Sequence, residues 1–105
     1  ILIIADGEIG EHFIQRVIQT YTSENIYYVV QLKQTEFKNV NQARFKFYEF
    51  DPTSYYKLSN LLKMDFAQVL ITMQTQIDVE NTIKNIRIVK DKLRIVVLDR
   101  FNLIH

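Results

Sequence analysis

The chain has 105 residues, 48% of them hydrophobic and 24% charged, a length and balance that imply one globular domain with a core of its own rather than a disordered or disulfide-stapled chain. Thirteen basic and 12 acidic residues are interspersed to a net charge of +1, so no basic stripe exists for tracking a phosphate backbone and nucleic acid is not an expected partner. No apolar run approaches the roughly 18 residues of a membrane helix, and the absence of cysteine fits a reducing compartment, with cytosol as the default.

In chain order, residues 1–5 form a continuous apolar run of strand length, the signature of a strand buried on both faces. Because Ile1 already lies in that strand, the chain reads as a piece of something longer. Ile9, Phe13, Val17 and Ile18 then recur at helical spacing, with Tyr21 extending the stripe and the helix fading near Thr22 and Ser23. Residues 26–32 are aromatic and β-branched and predict a second strand. Residues 33–44 are polar, anchored only by Phe37, Val40 and Ala43, and hold a short helix at most. Residues 45–50 mix aromatics with Lys46 and Glu49, as a sheet-edge strand does. Asp51, Pro52, Thr53 and Ser54 supply capping oxygens and a helix-initiating proline, ahead of an inner stripe of Leu58, Leu61 and Leu62. Residues 67–73 predict a fourth strand. A helix over residues 77–90 carries Val79, Ile83, Ile86 and Val89 inward, with acids in its first turn and bases in its last. Residues 93–98 close with a fifth strand. Such alternation implies a parallel sheet with helices on both faces, and the opening loop is expected at the mouth of an open twisted sheet in strand order 3-2-1-4-5.

An average composition would scatter about seven glycines over this length. This chain has two, both in Ala5-Asp6-Gly7-Glu8-Ile9-Gly10, at the first strand-to-helix junction. In the dinucleotide fingerprint G-x-G-x-x-G the first glycine makes the tight turn, the second admits pyrophosphate to the backbone, and the third lets helix and strand pack closely. Ala5 replaces the first, and Gly7 and Gly10 retain the others. Asp6, Glu8 and Glu11 crowd the helix start with carboxylates, where phosphate needs positive potential. At an effective dielectric of ~20, one like-charge pair ~5 Å apart costs on the order of 3 kcal/mol before screening, so an anionic dinucleotide is resisted. The same acids also serve as dipole partners on a solvated first turn. The ribose-binding acid expected about 20 residues on is absent. Gln31 stands at that strand end, with Lys33 beyond it, in a position equally natural for surface residues.

The runs ILIIADGEIG, FDPTS and ITMQTQIDVEN together resemble the regulator-of-K+-conductance (RCK) family, also called the TrkA N-terminal domain, over almost the whole chain. Asp51 matches the aspartate of the family's second motif, with Phe50 in place of its glycine, and Asn81 matches the asparagine of the third. The resemblance implies a single Rossmann-like domain over residues 1–105, cytoplasmic and tethered to the inner membrane through the rest of its chain. It implies a partner in a second copy of itself, as homodimer or larger ring, and in the pore or transporter subunit that it regulates. Its implied ligands are NAD(H) or an adenine nucleotide. Carried over residue by residue, Asp6, Gly7, Glu8 and Ile9 line the phosphate side, Gln31 the ribose side and Asp51 the base side, with Thr72 and Met73 bordering the crevice.

Catalytic chemistry is not expected. Ser54 and Ser59 have no histidine placed to activate them, since His12 lies on the first helix and His105 is the last residue. Two distant histidines without cysteine make no soft-metal site. Asp51, Asp78 and Glu80 could converge on a hard cation, with helix capping as the competing use. The tyrosine pairs Tyr27-Tyr28 and Tyr55-Tyr56 each place one ring inward by this reading. The alternative to a regulatory domain is the NAD(P)-binding domain of an oxidoreductase.

Overall fold

The computed structural model describes residues 1–22 and 24–98. The expectations for Ser23 and His105 fall outside the described residues. Five strands form one parallel sheet in the order β3-β2-β1-β4-β5. These are β1 (Leu2–Ala5), β2 (Tyr27–Gln31), β3 (Phe45–Glu49), β4 (Val69–Thr72) and β5 (Ile95–Val97). Three helices connect them: α1 (Gly7–Thr20), α2 (Tyr55–Leu61) and α3 (Gln76–Val89).

All four residues of β1 are fully buried, because the strand lies between β2 and β4 with helices above and below. Alternation of side chains across the pleat sends Ile3 and Ala5 to one face and Leu2 and Ile4 to the other. The first face packs Ile14 and Ile18 of α1 and is rich in aromatics. Tyr27 pairs in register with Phe45, their rings stacked with centroids 5.0 Å apart, and Tyr21 meets Phe45 edge-on at 5.3 Å. The second face has an aliphatic centre, built from Leu58, Leu61 and Leu62 around α2 and from Val79 and Ile86 of α3, with Tyr28, Tyr48, Phe50 and Phe66 packed at its margin. Helices therefore cover both faces, as the alternation of elements predicts.

Three local readings need correction. Ile9 was expected on the inner stripe of α1 but is 66% exposed, whereas Gly10, Ile14 and Ile18 face the sheet. Residues 33–44 hold no helix, within the expected limit of a short one; Asn39 turns the chain through a positive φ of 60°, and Phe37 and Val40 pack the segment on the α1 face, where hydrogen bonds from Thr35 to Glu11 and between Gln15 and Lys38 also hold it. Ala43 is exposed. Tyr55 and Tyr56 both point outward rather than one inward, because the buried positions of the short α2 are Leu58 and Leu61.

β3 is the edge strand expected from its mixed pattern, with Lys46 and Glu49 exposed. The order in which successive strands are laid down reverses between β1 and β4, since β2 and β3 lie on one side of β1 and β4 and β5 on the other. In open α/β sheets the crevice outside the carboxyl ends of the strands at this switch point is where ligands sit.

Candidate functional site at the sheet mouth

Two loops meet at the switch point: the β1–α1 turn at Asp6 and the β4–α3 loop at residues 73–75. β1 and β4 hold their register up to Ala5 against Thr72, and the Asp6 N–H donates to the Thr72 carbonyl at 3.0 Å, one step beyond the ladder. The chain must then turn sharply to start α1, and Gly7 does this at φ +70°, in the left-handed region that costs other L-residues about 1–2 kcal/mol. Three residues on, Gly10 lies against the sheet so closely that a Cβ there would stand 3.0 Å from the Ala5 Cβ and 3.2 Å from the Thr72 carbonyl oxygen. The helix-on-sheet role of the last fingerprint glycine is thus present in full.

The role of the middle glycine is not. A Cβ on Gly7 would overlap the Gln74 side chain, which lies across the turn where a pyrophosphate would need bare amides. Gln74 is held there by its own backbone, whose N–H donates to Asp6 Oδ1 at 2.6 Å, a bond that ties the two loops of the switch point together. Asp6 occupies the N-cap position of α1 yet makes no side-chain cap to that helix; its acceptor serves the opposite loop.

The cleft left beside this bridge has a volume of about 340 Å³. Asp6, Gly7, Glu11, Gln31, Lys33, Gln74 and Asp78 are among its walls. Three carboxylates thus face one lysine. Burial raises the Asp6 carboxyl above its ordinary value of 3.8; the Gln74 hydrogen bond pulls the other way, and the Asp78 charge adds a further upward push. Glu11 accepts from the Thr35 hydroxyl at 2.8 Å, fastening the loop after β2 to α1. Gln31, the last residue of β2, is 3% exposed, and its Oε1 has no hydrogen-bond partner. A buried acceptor left unmade costs about 1–3 kcal/mol, so this atom stands out as a group with a missing donor.

Of the residues expected to line one site, Asp6, Gly7 and Gln31 come together in this cleft. Glu8 is exposed on the first turn of α1. Ile9 and Thr72 border a separate hollow with His12, Phe13, Arg16 and Leu98. Asp51 is not in the cleft wall; its Oδ1 accepts from the Thr53 N–H at 2.9 Å and the Thr53 hydroxyl at 2.7 Å, closing the turn before α2. Met73 is turned into the aliphatic core, where its sulfur accepts from the Thr82 hydroxyl at 3.4 Å. Glu80 accepts from the Gln76 side-chain amide at 3.2 Å. Among the described residues no group of three histidine, cysteine, aspartate or glutamate side chains is close enough to hold a metal ion. Gln74 escaped the sequence reading, although its place just after β4 at a reversal of strand order was signal enough to suspect it.

A dinucleotide held in the usual way does not fit these residues. Its pyrophosphate would displace Gln74 and face Asp6, Glu11 and Asp78. Only the ribose end finds a plausible acceptor, at Gln31.

No family model matches the chain, and no curated protein matches it. Solved structures do share its architecture. Uronate dehydrogenase from Agrobacterium tumefaciens superposes with a TM-score of 0.57 at 11% identity over 93% of this chain and 40% of that one. A tyrosine-to-alanine mutant of the same enzyme, complexed with NAD, gives the same values. The chain spans about 40% of the length of these structures. The likeness establishes the fold: a Rossmann-like α/β domain with a five-stranded parallel sheet in order 3-2-1-4-5.

Proposed function

We propose that this chain is a regulatory module, a ligand-sensing or assembly domain of a potassium channel or potassium transport system, with no catalysis of its own. The observation that carries the reading is the Asp6–Gln74 bridge across the switch point. A crevice kept in shape by Gly7 and Gly10 but crossed by its own two loops suits a domain that couples occupancy of the cleft to the relative position of the loops after β1 and β4. It does not suit one that holds a redox cofactor throughout a catalytic cycle. The potassium part of the reading comes from the resemblance of the three sequence runs to the RCK family. Exposed Tyr55 and Tyr56 on α2 and Ile77 and Ile88 on α3 supply apolar area for a second copy or for a pore subunit in the cytoplasm.

The test is potassium uptake by a bacterium stripped of its own potassium transporters and given the gene that encodes this chain. Removing the segment that encodes residues 1–98 should change uptake severalfold, and unchanged uptake would end the reading.

A second reading, the NAD(P)-binding domain of an oxidoreductase, is favoured by one observation, the architecture shared with a dehydrogenase solved with NAD. Thermal unfolding in the presence of NAD+ or NADH separates it from a regulatory module whose phosphate turn is covered by Gln74 and which has therefore given up the dinucleotide implied by the family resemblance. The regulatory reading expects no shift in midpoint at millimolar dinucleotide, and the oxidoreductase reading expects several degrees.

A further inference from the structure

We propose that the cleft at the sheet mouth binds a small organic polycation, a di- or polyamine whose primary ammonium groups donate to Gln31 and to the surrounding carboxylates. The inference rests on the ligand-sensing reading above and names the class of its ligand.

Gln31 carries the argument. Register places it beside Ala5, on the α1 face of the sheet with Tyr27 and Val29, at the floor of the cleft. It is almost wholly buried and its Oε1 accepts nothing. A buried acceptor in that position asks for a ligand bearing N–H or O–H groups, not another acceptor such as a phosphate oxygen.

The walls ask for the same thing with a sign attached. Asp6, Glu11 and Asp78 surround the opening against the single cation Lys33. Asp6 and Glu11 each use one oxygen internally, for Gln74 and Thr35, and keep the other. The Asp78 carboxylate accepts no hydrogen bond among the described residues, although its backbone N–H is taken by Thr75 Oγ1 at 3.4 Å. Acceptors with unused lone pairs therefore ring the cleft, and the positive end of α1 is already faced by Asp6 and covered by Gln74. The acids are too dispersed for a metal ion, as no three of them converge among the described residues. An extended organic cation matches that spacing, because each ammonium brings three donors and its charges are spread along a flexible stem. A volume of about 340 Å³ admits a molecule of that size. The half-buried Asp6 supports the sign: Asp78 disfavours its charged form, and an ammonium between them would favour it. Binding should therefore strengthen as pH rises through the titration of Asp6, with Glu11, Asp78 and Lys33 the other charged groups that face the cleft.

The experiment titrates the protein with spermidine and with putrescine, and in a separate arm with NAD+, by calorimetry and thermal unfolding at constant ionic strength. Spermidine is expected to bind saturably and to raise the midpoint. Asp78→Asn and Gln31→Leu should each weaken it at least fivefold, while Glu24→Gln, on the exposed stretch before β2, should leave it unchanged. Gln31→Leu alters a buried position, so the side-chain amide resonance of Gln31 in the unaltered protein is followed as well, and it should move with spermidine. No saturable response, or equal affinity in wild type and Asp78→Asn, overturns the inference. Silence toward both amine and NAD+ overturns it alone and leaves an assembly domain. NAD+ binding that competes at Gln31 overturns the inference and the regulatory reading together.

Discussion

Gly7 and Gly10 sit three residues apart in one turn, and the structure uses them for opposite purposes. Gly10 faces atoms that cannot move: the Ala5 Cβ in the central strand and the Thr72 carbonyl oxygen in its neighbour. Gly7 faces the end of a flexible side chain, and what it uniquely supplies is a left-handed backbone. One glycine is required by packing and belongs to stability. The other is required by conformation, and the neighbour that covers it can be displaced, so it belongs to the site.

The comparison is broken most severely at Gly10. Gly10→Val drives a branched side chain into the β1–β4 ladder, and overpacking of this kind costs about 3 kcal/mol or more. For a domain of this size that lowers the thermal midpoint by roughly 10–20 °C, measurable by circular dichroism. A fall of only a degree or two would mean that α1 can ride up off the sheet, contradicting the close contact.

At Gly7 the expected effect is smaller and of a different kind. Gly7→Ala should cost about 1–2 kcal/mol, the price of a left-handed alanine, once Gln74 swings aside. Urea unfolding of Gly7→Ala, Gln74→Ala and the double variant measures the coupling between them. We expect it to stay under about 0.5 kcal/mol, since the penalty lives in φ rather than in the overlap. A coupling above about 1 kcal/mol would make Gln74 as immovable as Ala5 and erase the distinction between the two glycines.

The same contrast explains what could be read before the fold was known. Strands buried on both faces write themselves as unbroken apolar runs, so β1 and β4 were legible; alternation of elements gave the parallel sheet, and the order 3-2-1-4-5, rather than the equally right-handed 2-1-3-4-5, came with the Rossmann-like reading of the glycine turn. Edge strand β3 was legible from Lys46 and Glu49. The phase of α1 was misjudged because its contact line is Gly10, Ile14 and Ile18, and a glycine at a close contact adds nothing to a hydropathy stripe. Ile9, one residue earlier, supplied a false start. The loop after β2 packs through isolated anchors, Phe37 and Val40, which leave no period to detect. Of the candidate site, Asp6, Gly7 and Gln31 followed from a motif of fixed spacing. Gln74 did not, because its contact with Asp6 joins residues 68 apart in sequence and exists only once the strand order has reversed.

The mildest test addresses the bridge between the two loops. In Asp6→Asn the side-chain oxygen can still accept the Gln74 N–H, but the charge is gone. In the wild type, burial holds the folded-state Asp6 carboxyl above its ordinary 3.8, with the Asp78 charge assisting and the Gln74 hydrogen bond only partly offsetting them. The folded protein therefore binds that proton more tightly than the unfolded chain. Its stability should fall as pH rises from the ordinary carboxylate value through the folded-state one, and the loss is complete above that. Because Asp6 is only partly buried, screening by the remaining solvent contact keeps the effect to a few tenths of a kcal/mol. Urea midpoints of wild type and Asp6→Asn, compared from about pH 4 to about pH 7, should converge at the acid end and separate slightly in favour of the variant as pH rises. Separation in the opposite direction would show that the charged form of the bridge is the stabilised one. The Asp6 carboxylate would then be a fixed structural strut rather than a group whose charge a ligand can adjust.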